Sequence, residues 1–578
     1  MVETKKKFPL LLTVGTAAVL IGGGGAAYWF LSQPKASPED LPVGAEVIPQ
    51  DALMTIAVTT DPGQWEQLRE FGTPQSQAAF DQNLAQVRDR VLTANGLDYQ
   101  QDIQPWIGNE VSVAFLAPYL PPASNTPNTP PPVPQQQAVI AVLPIRDALK
   151  AKQLLEKPRP QTGKLVARTY KGVEIKESPN SAAQKISIAA LGGKYLLVTT
   201  DPKATDKAID TYQGGPNLAA TPGYNQALGR ISTAQPFGKV YVNLPIAAMV
   251  TANNAGRPLT QENLAQMQQN QGLAATAALE TEGIQFKSVS WLRPDSERKY
   301  TGKNNAHIMP DRLPTDTLMM VSGSNLKQFW QQYVEGAATS PVSPIPPDGL
   351  RSAIKSTIEM DWDQDFVNWM DGEFSLSLVS APPGSPPNLP FSLLFMVQAS
   401  DRRAAETALK KLDDAMTNKY KVKVEAAQVA GQDVTNWTLP LGGSTVTHGW
   451  LNDNVAFLSL GAPIASAIIP KPATPLAGSE AFKQAMPPGS NSNNGQFYMN
   501  VDQAVNAKRL PILQLPPGNR ELVAAIKSIG VTAAITDSRT SRYDAFVGLQ
   551  KAGKPAPLTS PTIPPATPAP EPVATPSP

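Results

Sequence analysis

Few residues in this chain have the types and spacing that catalysis requires, and most of those are carboxylates. One S-x-x-K spacing occurs, Ser352-Ala353-Ile354-Lys355. On a helix it sets the lysine amine one turn from the hydroxyl, the arrangement of serine acyl enzymes. Such enzymes carry two further motifs. Ser492-Asn493-Asn494 fits the second loosely, and Lys551-Ala552-Gly553 is a weak substitute for K-T-G. Asp361, Asp363 and Asp365 alternate as calcium-loop oxygens do, but a calcium loop needs more donors and usually a glycine. The two histidines, His307 and His448, are far apart, and neither has a second ligand at a metal-motif spacing. The chain has no cysteine, which removes disulfides, thiolate metal sites, cysteine nucleophiles and acylation at a lipobox. Walker A, G-x-G-x-x-G and G-x-S-x-G patterns are absent. The expectation is a non-enzyme with no cofactor and no metal, a serine acyl enzyme using Ser352 and Lys355 standing as an alternative.

The remaining acids recur in a pattern. GLDYQQDIQPWIGNEVSVAF carries Asp98, Asp102, Trp106 and Glu110. EMDWDQDFVNWMDGEFSLSL carries Asp361, Asp365, Trp369 and Glu373 at the same spacing. Further matches keep this order. Residues 48–54 (IPQDALM) resemble 313–319 (LPTDTLM), and Trp65 corresponds to Trp330. Residues 170–175 parallel 429–434, 191–196 parallel 451–456, and 238–243 parallel 495–500. A period this long is a domain duplication rather than a solenoid. The first copy spans 41–294, the second 306–553, with a polar link at 295–305. At the matched positions the expected role is structural: Asp caps on a turn, a Trp that packs, then a strand. Repetition in both copies fits a framework, so a functional surface belongs where the copies differ.

The elements that would position these residues read as α+β. In the first copy, strands are predicted at 53–59, 111–116, 138–143, 165–170, 173–177, 186–191, 195–200 and 239–243. Helical stretches are predicted at 63–94, 146–156 and 202–212, with a Pro-rich loop over 117–136. Each copy closes with a helix, 263–271 or 521–529, and a hairpin, 273–292 or 531–549. Strict βαβ alternation is missing, so the sheet should be largely antiparallel with packed helices.

Lys5, Lys6 and Lys7 precede an uncharged apolar run, 8–31. About 20 apolar residues cross a bilayer. The length and the aromatic end Tyr28-Trp29-Phe30 point to an uncleaved signal anchor rather than a cleaved signal peptide, with the N-terminus cytoplasmic. The tail, 554–578, is rich in Pro, Ala, Thr and Ser and is expected to be disordered or extended. Lys+Arg of 49 against Asp+Glu of 48 argues against nucleic acid as a partner.

The lead-in at 49–54, Trp65, and the stretch from Asp102 to Glu110 resemble the membrane-anchored, cyanobacterial domain of unknown function 3352 family. The second copy departs where Asp371 replaces Gly108 and Gly372 follows. The resemblance implies no activity or catalytic residue. It implies a plasma or thylakoid membrane, with the modules in periplasm or lumen. The function expected is a non-enzymatic binding or scaffold protein with a protein or envelope partner. The alternative is a carrier of an apolar ligand such as lipid or pigment.

Overall fold

The computed structural model describes residues 41–558 except 94–95, 119–136, 157–164, 180–184, 255–260, 338–345, 387–388, 439–444, 453, 488–491 and 507–516. The expected anchor at 8–31, most of the Pro-rich loop and most of the tail lie outside the described residues. No described helix is long and apolar enough to cross a membrane.

In the first half the strands are β1 (Ala52–Thr59), β2 (Glu110–Leu116), β3 (Val139–Pro144), β4 (Val166–Tyr170), β5 (Val173–Glu177), β6 (Ser187–Leu191), β7 (Tyr195–Thr199), β8 (Gly238–Asn243), β9 (Asn270–Glu280) and β10 (Gly283–Leu292). The second half has β11 (Thr317–Gly323), β12 (Phe374–Ser380), β13 (Phe391–Gln398), β14 (Lys423–Val429), β15 (Gln432–Thr438), β16 (Thr445–Leu451), β17 (Val455–Gly461), β18 (Gly495–Asn500), β19 (Ile526–Asp537) and β20 (Thr540–Leu549). All pair antiparallel in one sheet. Its order is β4-β5-β6-β7-β3-β2-β1-β8-β9-β10, then β20-β19-β18-β11-β12-β13-β17-β16-β15-β14.

The second series is the first read backwards, strand for strand. The halves therefore meet through corresponding strands. Gly283 to Trp291 of β10 lie opposite Gly548 to Thr540 of β20. Two identical subunits joined about a two-fold axis would make the same contact. At its centre Lys287 stands directly opposite Asp544. These two residues occupy the same register position in their halves, since Thr276 faces Lys287 and Thr532 faces Asp544.

Side chains alternate between the faces of the sheet, and each half builds a core on both. On β7, Leu197 joins one cluster with Ile140, Tyr224 and Tyr241, while Leu196 joins another with Trp106 and Ile188. On β17, Phe457 packs with Met320 and Tyr498, and Ala456 packs with Trp369 and Phe366.

Most expected elements form within a residue or two of their predicted limits, and the helix Pro202–Tyr212 does so at both ends. Three local differences have physical causes. The helical zone 63–94 is two helices, Pro62–Glu70 and Pro74–Val91; Thr73 and Ser76 form a capping box that restarts the chain. The helix expected over 521–529 ends at Ala524, because Ile526 onward pairs with β20 as part of β19. The helix Leu244–Asn254 was not foreseen: its first turns are apolar all round, with no helical period to read.

Candidate functional site

The matched acids close one turn in the same way in each half. The Asp98 carboxylate accepts from Gln101 N at 2.9 Å, and Asp102 accepts from Asp98 N at 2.8 Å. Asp361 and Asp365 repeat this at 2.9 and 2.8 Å. The turn is a single wide π-type coil in both, Tyr99–Ile103 and Trp362–Val367. It delivers a buried tryptophan: Trp106 Nε1 donates to Asp102 O at 2.6 Å, and Trp369 Nε1 to Asp365 O at 2.8 Å. The bond from Asp361 N, and then Lys411, holds the Asp365 carboxyl below its ordinary range.

The matched glutamates grip the lead-in of each half. Glu110 accepts from Val43 N at 2.7 Å and pairs with Lys239 at 3.0 Å. Glu373, only 3% exposed, accepts from His307 N at 3.0 Å and Met309 N at 2.8 Å. Lys239 Nζ also donates to Leu41 O at 3.3 Å; at the same place Gln496 Nε2 donates to Ala306 O at 3.4 Å.

Beside Glu110 the halves diverge. The end of β1, the wide turn and the strand start at β8 border an open cavity of about 650 Å³ in the first half. Its wall includes Leu41, Asp61, Gln64, Tyr99, Asn109, Arg146, Gln235 and the Glu110–Lys239 pair. A separate space of about 10 Å³ in the second half is lined by Thr301, Asn325, Gln328, Phe329, Phe374 and Ile535 among others. The ladder registers equate Lys239 with Gln496, and Asp61 and Asn325 alike precede a helix, accepting from Gly63 N and Gln328 N. Arg146 equates with Ser400: Arg146 N donates to Trp106 O, and Ser400 N to Trp369 O. The two cations that border the cavity, Lys239 and Arg146, are thus neutral residues in the other half. Phe329 packs on Phe374 with ring centroids 5.4 Å apart, beside the smaller space.

The two matched tryptophans Trp65 and Trp330 do different work. Trp65 is half-buried, donates to Thr59 O at 2.8 Å and meets Phe237 edge-on. Trp330 is buried and donates to Asp363 Oδ1 at 2.7 Å. Arg351 also holds Asp363, at 2.6 Å, and its guanidinium keeps that carboxyl below its ordinary value. The alternating carboxylates therefore face separate partners: a backbone N–H, an arginine with an indole, and a lysine. Among the described residues no three His, Asp or Glu side chains converge as metal ligands.

Ser352 and Lys355 both lie exposed on the helix Pro347–Ile358. Ser492 and Lys551 sit apart from each other, Ser492 donating to Asn304 O and Lys551 paired with Glu282. His448 is buried, its Nε2 2.8 Å from Asp413, which also takes the Trp437 indole at 2.7 Å. His307 is exposed, with Nδ1 2.7 Å from Asn305 O.

Arg146 and Lys239 enter the sequence pattern only as the start of a helix and of a strand, and Asp61 and Gln64 lie in no motif; the signal for a site there is the change of charge between matched positions such as Lys239 and Gln496.

The chain belongs to the family described as Protein of unknown function (DUF3352), which matches residues 13–549. No curated protein matches it. Among solved structures it is similar to crystal form I of TP0453 at 8% identity, covering 44% of this chain and 81% of that one with a TM-score of 0.25. Crystal form III of TP0453 is similar at 9% identity, covering 44% and 80% with a TM-score of 0.23. Likeness this faint carries nothing about role.

Proposed function

We propose that this protein is a membrane-anchored, non-enzymatic binding protein, made of two copies of one module, whose first copy holds the binding cavity. One observation carries the reading: a cleft of about 650 Å³ in the first half is bordered by Glu110, Lys239 and Arg146, and the second half puts Gln496 and Ser400 at the positions of the two cations. After a duplication, one copy can keep a site while its sister loses the charged groups. Small-ligand and peptide sites fall in this size range.

The wall also bears on the class of partner. Asp61, Glu110, Arg146 and Lys239 all border the cavity. Four ionisable groups suit a polar partner such as a polypeptide and count against a lipid or pigment. The exposed setting of Ser352 and Lys355 offers no cleft for an acyl enzyme. The run 8–31 would anchor the chain and leave both copies outside the cytoplasm, in periplasm or lumen.

The test uses the full chain with a photo-crosslinking residue at Gln235, on the cavity wall, in native membranes. A partner captured by the wild-type background but lost with Gln64→Phe, which puts an aromatic ring into the open site, supports the reading. Equal capture in both backgrounds refutes it. Protease treatment of spheroplasts tests topology; modules that stay protected when the outer face is exposed would refute the orientation.

A further inference from the structure

We propose that the cleft of the first half binds a short zwitterionic peptide of about three residues, with its carboxylate on Arg146 and its amine facing Asp61. The proposal deepens the reading of the cleft as a binding site and rests on it.

Both charges are surplus to the fold. The Asp61 side chain caps the helix Pro62–Glu70, accepting from Gly63 N at 2.8 Å. Asn325 precedes the helix Leu326–Ala337 and accepts from Gln328 N at 2.8 Å. Asparagine and aspartate cap about equally well, so the cap calls for no carboxylate. Arg146 N donates to Trp106 O at 2.7 Å and Ser400 N to Trp369 O at 2.9 Å, a backbone bond that needs no cation. Glu110 and Lys239 neutralise each other at 3.0 Å. Asp61 and Arg146 are both exposed, and among the described residues neither has a partner of opposite charge. The Arg146 guanidinium donates from Nη2 to Gln104 O at 3.1 Å and keeps its other N–H groups for a ligand.

Their placement fits the two ends of a peptide. Thr60 N donates to Asn109 O at 2.9 Å, and Gly108 N donates to Pro144 O at 2.9 Å. Ile107 also bridges Ile145 antiparallel. The segment 107–109 thus runs between 60–61 and 144–146, and two strand spacings set those flanking backbones about 10 Å apart. An extended chain advances about 3.3–3.6 Å per residue, so three residues cover that distance. Gln64, Asn109 and Gln235 also border the cleft. A carboxamide carries donors and an acceptor, as the peptide bonds of the ligand do. An apolar ligand would strip these groups of water with nothing in return. A ligand with one sign of charge would leave either Asp61 or Arg146 opposed.

The test titrates purified full-length protein with trialanine, its N-acetyl form and its C-terminal amide, by calorimetry. Masking either end should weaken binding about fivefold, the ceiling for one exposed ion pair. With Asp61→Asn the free and acetylated peptides should bind alike, and with Arg146→Ser the free peptide and the amide should. Each substitution copies the residue that the second half carries at that place, so the fold is kept. Absence of binding, or equal binding of free and masked forms to the wild type, overturns the proposal. The photo-crosslink at Gln235 separates the two readings in that case. A partner lost with Gln64→Phe leaves the cleft a binding site of another specificity, and capture that Gln64→Phe does not alter overturns that reading as well.

Discussion

At the end of β1 the first half holds a cleft of about 650 Å³ bordered by Asp61, Glu110, Arg146 and Lys239, and the second half sets Asn325, Glu373, Ser400 and Gln496 at the corresponding places. The same two halves agree in the Asp caps and the buried Trp, and each sets its Glu against the lead-in, Glu110 on Val43 N and Glu373 on His307 N and Met309 N. Framework and site are thus separable in this fold. What fixes backbone geometry is shared, and what lines the space beside it is not.

The largest expected effects test the shared part. Trp106→Ala and Trp369→Ala each remove a buried indole and should cost about 3–5 kcal/mol. Denaturant unfolding should give values within about 1 kcal/mol of each other; a much smaller loss in one half would mean the framework is not equally used. The glutamates should then rank unequally. Glu110→Gln strands Lys239, a nearly buried cation, and should cost about 3 kcal/mol. Glu373→Gln loses one strong bond to a backbone N–H and should cost about 2 kcal/mol. The reverse order would contradict the role given to the Lys239–Gln496 exchange.

The junction gives smaller effects. Lys287→Asp places like charges opposite each other across β10 and β20 and should cost about 1 kcal/mol, recovered in part by adding Asp544→Lys. Burial pushes the Asp544 carboxyl above its ordinary value, against the pull of Arg542 and Lys287. The folded chain therefore takes up this proton more readily than the unfolded chain. Its contribution grows as pH falls through the raised folded value and is complete below the unfolded value near 4. Stability of the wild type relative to Asp544→Asn should rise from pH 7 toward pH 4; a flat difference would show that Arg542 fully offsets burial. Least of all, Gln64→Phe should alter stability by no more than about 0.5 kcal/mol, because it fills space at the rim of an open cavity. A large loss would show that the space is already filled.

Much of the local structure was legible beforehand. The Gly192-Gly193 pair between two apolar runs is a hairpin signal, and the β6–β7 hairpin forms there; Pro202 suits a first helical turn, and the helix starts at it. The framework geometry was readable from Asp98, Asp102 and Trp106 because their contacts are within one turn. Ile526 was read as helical since a short apolar run has no distinguishing period; its pairing with Leu549 across the hairpin decided the matter. The cavity was out of reach for a similar reason. Leu41, Gln64, Arg146 and Gln235 come from four distant segments, and only the sheet order brings them to one place.

The meeting of β10 with β20 has a consequence in time. The strand that covers the open edge of β10 emerges from the ribosome roughly 10–50 s after it, at ordinary elongation rates. During that interval a nascent first half offers a bare edge, and a neighbouring nascent chain offers the same edge in a compatible register. Pairing in that register would set Lys287 against Lys287, whereas the late partner brings Asp544. One lysine thus helps the early product wait for its own continuation.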